Sequence, residues 1–135
     1  MSKYKEIFKL KEMLEKAEIP YIFIDRFEED RKLMKNNEYL NEYLKDKEYY
    51  QILLFNDFRE VMEHYNTYKV FDNEKRIISI VQGYATYGEE DDLLEIMGLL
   101  TEEEEKIDDV TGYLTAEDVF NRIIKYFKDK SEVEN

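Results

Sequence analysis

Apolar residues recur at helical spacing near the start of the chain, at Ile7, Leu10, Leu14 and Ala17 with Met13 beside them. This predicts a helix over 3–18 with Ser2 as its N-cap. Pro20 disfavours helical geometry at Ile19, so the helix should stop there. The β-branched and aromatic run Tyr21-Ile22-Phe23-Ile24 reads as a strand ending near Phe27. Residues 28–48 are highly charged; after the break Asn36-Asn37, the residues Tyr39, Leu40, Tyr43 and Leu44 suit a short helix. A second strand is expected over Tyr49–Phe55. Asp57 with Glu60 then forms a capping-box signal for a helix lined by Phe58, Val61, Met62 and Tyr65.

Two further runs, Tyr68-Lys69-Val70-Phe71 and Arg76-Ile77-Ile78-Ser79-Ile80-Val81, flank the polar turn Asp72-Asn73-Glu74-Lys75. They predict a hairpin over 68–81, expected at the centre of the sheet because it has the longest β-branched run. Gly83 and Gly88 bracket a loop holding Tyr84 and Tyr87. The last third reads as helical. Leu93, Leu94, Met97 and Leu100 predict a helix beginning near Glu89, Thr101 with Glu104 caps a short one, and Thr115 with Asp118 starts the last. The stripe of that last helix is Val119, Phe120, Ile123, Ile124 and Phe127, with fraying expected over about 130–135. The order of elements predicts a single α+β domain over 1–135: an N-terminal helix, a small, mainly antiparallel sheet, and C-terminal helices.

Composition narrows the chemistry. The 135 residues are 43% hydrophobic, enough for a core, and they include no Cys and one His, His64. Disulfides, thiolate metal sites, a Cys nucleophile and a His-rich metal site are thereby excluded. A triad would need His64 with Ser2, Ser79 or Ser131, and none of these serines sits in a suitable elbow. A calcium loop centred on Gly112 would place Ile107 where an oxygen ligand is required. Gly83 and Gly88 lack the Lys-Ser/Thr of a phosphate loop and are followed by acids that would repel phosphate. No catalytic residue, no metal site and no cofactor is expected. No apolar run approaches a membrane span, and the charged start Met1–Lys5 does not lead into a signal-type apolar stretch, so the chain reads as intracellular.

Charge changes the picture most. The formal net charge is −13, which disfavours nucleic acid and anionic lipid as direct ligands. The excess is local. Glu89, Glu90, Asp91, Asp92, Glu95, Glu102, Glu103, Glu104, Glu105, Asp108 and Asp109 face a single base, Lys106, in residues 89–109. Two readings stay open. Acids are favoured in the first turn of a helix, so the run can serve capping and solubility alone. Alternatively, these eleven acids with Tyr84 and Tyr87 form a negative, partner-binding face for a protein with a basic surface. The aromatic content of 15% likewise fits either a tyrosine-rich core edge, with Tyr39, Tyr43, Tyr49 and Tyr50 clustered among charges, or a binding surface.

The string Tyr87-Gly88, then Asp92-Leu93-Leu94-Glu95-Ile96-Met97-Gly98-Leu99-Leu100-Thr101, then Gly112-Tyr113-Leu114-Thr115-Ala116-Glu117-Asp118-Val119-Phe120, resembles a family of small uncharacterised proteins from phages and prophages of low-GC Gram-positive bacteria. The opening, Phe8-Lys9-Leu10-Lys11 through Ala17 to Ile19-Pro20-Tyr21, is similar to the start of that family. The resemblance lapses over 28–66, which reads as a partner-specific insertion whose deletion should abolish partner binding and spare the fold, and Glu102 stands where the family usually has Pro. It carries no activity and no functional residue; it implies a phage accessory gene acting in the cytoplasm of a bacterial host. The expected function is therefore a non-enzymatic acidic binding protein. One form is an anti-defence inhibitor that mimics nucleic acid against a defence effector, such as a CRISPR effector or another nuclease. The alternative is a regulatory or housekeeping interaction protein whose acids serve solubility and capping.

Overall fold

The computed structural model describes residues 2–28, 37–56 and 76–134. Its architecture is α+β. Helix α1 (Glu6–Lys16) leads into strand β1 (Ile22–Asp25), short helix α2 (Glu38–Leu44) and strand β2 (Tyr49–Phe55). Strand β3 (Arg76–Gly83), a 3-10 turn at Glu89–Asp91, strand β4 (Leu94–Met97), short helix α3 (Glu102–Glu105), strand β5 (Thr111–Leu114) and helix α4 (Ala116–Glu134) follow. The five strands form one antiparallel sheet in chain order, with β3 in the middle.

Alternation along the strands sorts the side chains. Ile52 and Leu54 of β2, Ile78 and Ile80 of β3, and Leu94 and Ile96 of β4 face α1 and α4 and are completely buried. The helices answer with Ile7, Leu10 and Leu14 from α1 and Ala116, Val119 and Ile123 from α4. Each aliphatic side chain buried here contributes about 1.5–3 kcal/mol. An exposed ion pair between Lys9 and Glu117 also links the two helices. The other sheet face carries a smaller buried cluster of Ile22, Leu53 and Phe55. Burial of both faces at β2 explains why its sequence is a continuous apolar run rather than an alternation.

Several sequence expectations change. The helix predicted from Glu89 is instead a 3-10 turn followed by β4, in which Leu94 and Ile96 are buried while Glu95 and Met97 are not. The last third also contains β5, for which the sequence gives no signal. Ser2 does not cap α1; its Oγ accepts from the Tyr4 amide at 3.0 Å, and the helix begins at Glu6. The helix ends as expected before Pro20, but through a Schellman arrangement. Ile19 N donates to Leu14 O at 3.0 Å and Glu18 N to Glu15 O at 3.1 Å, with Glu18 at φ +57°. Residues 49–55 of the stretch read as an insertion are β2, paired on both sides and packed into the core, so deleting 28–66 would split the sheet. The capping box of Thr101 with Glu104 is present, and Thr115 with Asp118 makes the reciprocal pair at the start of α4. The helix expected from Asp57, His64 and the Tyr68–Phe71 half of the hairpin lie outside the described residues. The described neighbours of β3 are β2 and β4.

Candidate functional site

The connection from β3 to β4, residues 84–93, is built by side chains gripping backbone. Thr86 Oγ1 accepts from Gly83 N at 3.0 Å and donates to Gly83 O at 2.8 Å. Ala85 N donates to Glu89 Oε2 at 2.8 Å, and Tyr87 N to Glu95 Oε1 at 3.0 Å. Gly88 turns the chain at φ +95°, an angle that favours glycine, and a side chain there would also press on Leu93 and Tyr113. Ala85 and Asp92 also take left-handed angles, at φ +69° and +55°.

This loop is bolted to the start of α1. Asp92 Oδ1 accepts from Lys5 N at 2.9 Å, from Glu6 N at 3.3 Å and from Gln82 Nε2 at 2.6 Å. Gln82, completely buried, uses its other end to accept from Ile7 N at 3.0 Å. Amides orphaned at the helix start are thus satisfied by side chains some eighty residues away in sequence. Tyr4 adds a bond from its hydroxyl to Glu89 Oε1 at 3.3 Å, and burial, reinforced by the Glu89 charge, holds that hydroxyl well above the ordinary tyrosine range.

On the outer side of the loop lies a groove of about 420 Å³, lined by Tyr84, Tyr87 and Tyr113 together with Glu89, Glu90 and Asp91. The three tyrosines are 48%, 54% and 62% exposed. Tyr113 sits at the irregularity between β4 and β5, at φ +61°, and its amide donates to Tyr87 O at 3.5 Å. Among the described residues, the Glu90 and Asp91 carboxylates have no internal hydrogen bond or ion pair, whereas both oxygens of Glu89 are occupied. At the rim, the Tyr84 and Tyr43 hydroxyls meet at 3.4 Å. The Lys47 ammonium stands 3.9 Å from the Tyr43 ring centre and 5.0 Å from that of Tyr84.

The remaining acids divide. Glu104 is committed to structure: beyond the capping box, Arg122 Nη1 and Nη2 donate to its two carboxylate oxygens at 2.7 and 2.8 Å. Arg122 also reaches Leu99 O at 3.0 Å. The Arg122 guanidinium pulls the Glu104 carboxyl down to about 2. Asp108 accepts from the neighbouring Asp109 amide at 2.6 Å. Glu102, Glu103, Glu105 and Asp109 are exposed on or after α3. The expected acidic face is therefore two groups at opposite ends of β4: Glu89–Asp92 before the strand, Glu102–Asp109 after it. Glu95 lies on the strand and Asp92 faces α1.

Tyr84 and Tyr87 line the same groove as Glu89, Glu90 and Asp91, while the other acids of 89–109 lie outside it. Tyr113 was missed; only its position next to Gly112 in a turn-like stretch could have flagged it. Of the other tyrosines, Tyr50 packs with Tyr4, Phe8 and Phe23 at the core edge, while Tyr39 and Tyr43 are exposed. Ser79 is buried in β3 and accepts from Gln51 Nε2 at 2.7 Å, remote from any nucleophile elbow. Among the described residues no three acidic or histidine side chains converge on a metal-sized point, and no helix is long and apolar enough to cross a membrane. No protein-family model matches the chain, and no match is found among curated proteins or solved structures.

Proposed function

We propose that the chain is a non-enzymatic binding protein that engages a basic surface on a protein partner through the groove of Tyr84, Tyr87, Tyr113, Glu90 and Asp91. The observation that carries this reading is the pairing of exposed tyrosines with two carboxylates that have no hydrogen bond or ion pair among the described residues, on a loop fixed by many hydrogen bonds. Tyrosine supplies contact area at low ordering cost, and unpaired acids supply steering and register. The concentration of negative charge and the phage-like sequence support a narrower form of the proposal. In it the partner is a nucleic-acid-binding defence effector of a bacterial host, and this chain occupies its basic groove. A partner captured from a bacterial host lysate and identified by mass spectrometry should bind with an affinity that falls at least about tenfold from low to high salt, as exposed charges are screened. It should also be displaced by nucleic acid.

A second reading has its own support. Glu89, Asp92, Glu95 and Glu104 each accept backbone amides and so serve the fold directly. In that reading the protein is a regulatory or housekeeping interaction protein, the free acids give solubility, and partner affinity is nearly flat with salt.

A further inference from the structure

Resting on the binding reading above, we infer that the groove is a seat for one lysine or arginine side chain projecting from an extended basic segment of the partner, its cation held against the faces of Tyr87 and Tyr113 with Glu90 and Asp91 as counter-ions. Charge complementarity selects this occupant. An anion would meet Glu89, Glu90 and Asp91, and among the described residues no base lines the groove. A purely apolar ligand would cover the Glu90 and Asp91 charges without compensating them, which is costly. A cation attached to an aliphatic stem satisfies both parts of the lining: the stem and charge lie on aromatic rings, and the charge also meets carboxylates.

The chain itself supplies an internal instance of this capture. Lys47 places its ammonium over Tyr43 at 3.9 Å and within 5.0 Å of the Tyr84 ring. That lysine also sets the position of the seat. Its positive charge occupies the Tyr84 end of the rim, so a second cation is favoured toward Tyr87 and Tyr113. The Thr86, Glu89 and Glu95 side chains already fix the loop backbone, which lowers the ordering cost of binding to that of the groove side chains.

The test is an NMR titration of the full chain with three acetylated, amidated pentapeptides that differ only in a central Lys, Arg or Gln. The Lys and Arg peptides should give saturable shifts confined to Tyr87, Gly88, Glu90, Asp91 and Tyr113, and the Gln peptide should bind at least about tenfold more weakly. The double variant Glu90→Gln/Asp91→Asn should weaken the Lys peptide by a similar factor. The triple variant Glu102→Gln/Glu103→Gln/Glu105→Gln removes more charge at the other end of β4 and should change affinity less than about twofold. A cooperative melting transition confirms that each variant is folded. Equal binding of the Gln peptide, or equal losses in the two variants, would overturn the inference. If the peptides fail while the captured partner still loses affinity in the Glu90/Asp91 variant, the single-side-chain seat is wrong and the broader basic-surface reading stands. If the partner is also indifferent to that variant, both fall.

Discussion

Replacing Asp92 should unfasten the groove loop from the first helix. Its Oδ1 accepts from Lys5 N, Glu6 N and Gln82 Nε2. Loss of the acceptor at the helix start costs about 1 kcal/mol, as for an ordinary N-cap. Gln82 is completely buried, so stranding its Nε2 costs about 2 kcal/mol more. Asp92→Ala should therefore destabilise the protein by about 3 kcal/mol, or about 12 °C in melting temperature for a domain of this size. The backbone angle gives an internal control. Asp92 stands at φ +55°, where Ala is strained and Gly is not. Asp92→Gly should thus be less damaging than Asp92→Ala by about 1 kcal/mol. Asp92→Asn keeps an acceptor oxygen and tolerates the angle, so it should be the mildest of the three. Thermal and urea unfolding would rank the variants, and amide exchange at Lys5 and Glu6 should quicken in Asp92→Ala. In a double-mutant cycle with Gln82→Ala, the two losses should be less than additive by at least about 1 kcal/mol. An Asp92→Ala protein within about 0.5 kcal/mol of the parent, or additive losses in the cycle, would refute the reasoning.

Other substitutions address the remaining termini and acids. Glu18 occupies the left-handed position closing α1, so Glu18→Gly should raise stability by about 1 kcal/mol in urea unfolding. The Glu104 carboxyl is held down to about 2 by Arg122. A depressed carboxylate contributes stability that is complete above its unfolded value near 4.5 and is lost as pH falls toward 2. Glu104→Gln should remove about 1–2 kcal/mol at pH 7 and flatten unfolding curves between pH 5 and 2. Neutralising Glu102, Glu103 and Glu105 to Gln should lower the melting temperature by only a few degrees, because the lost helix-start attraction is partly offset by relief of repulsion, whereas any set that includes Glu104 should lower it sharply, by calorimetry.

Elements whose signal is local were legible in the sequence. The Ile7, Leu10 and Leu14 stripe, the stop before Pro20, the continuous apolar runs of β2 and β3, and both threonine caps all depend on residues within a few positions of each other. β4 was not legible because four residues cannot separate a period of 2 from one of 3.6. Leu94 and Ile96 alternate across the sheet, but Leu94, Met97 and Leu100 also fit a helix, and the acids of 89–92 imitate a helix start. β5 was hidden by Gly112 and by the irregular pairing at Tyr113. At the site, the glycine-bracketed loop with Tyr84 and Tyr87 was visible. The division of labour among the acids was not. It depends on partners such as Gln82, Tyr4 and Arg122, which only the folded chain brings to Asp92, Glu89 and Glu104. Charge counted along the sequence treats these carboxylates as equivalent to Glu90 and Asp91, and the fold does not.

The central claim is that binding belongs to the groove and not to net charge. The most direct measurement is the affinity of the captured partner, by calorimetric titration at fixed salt, for the parent chain and two charge-reversed forms. Glu90→Lys/Asp91→Lys should lose at least about a hundredfold, since it puts like charge against a basic surface. Glu102→Lys/Glu103→Lys, an identical change in net charge at the far end of β4, should stay within about threefold of the parent. Equal losses in the two forms, or a larger loss from the α3 pair, would contradict the account.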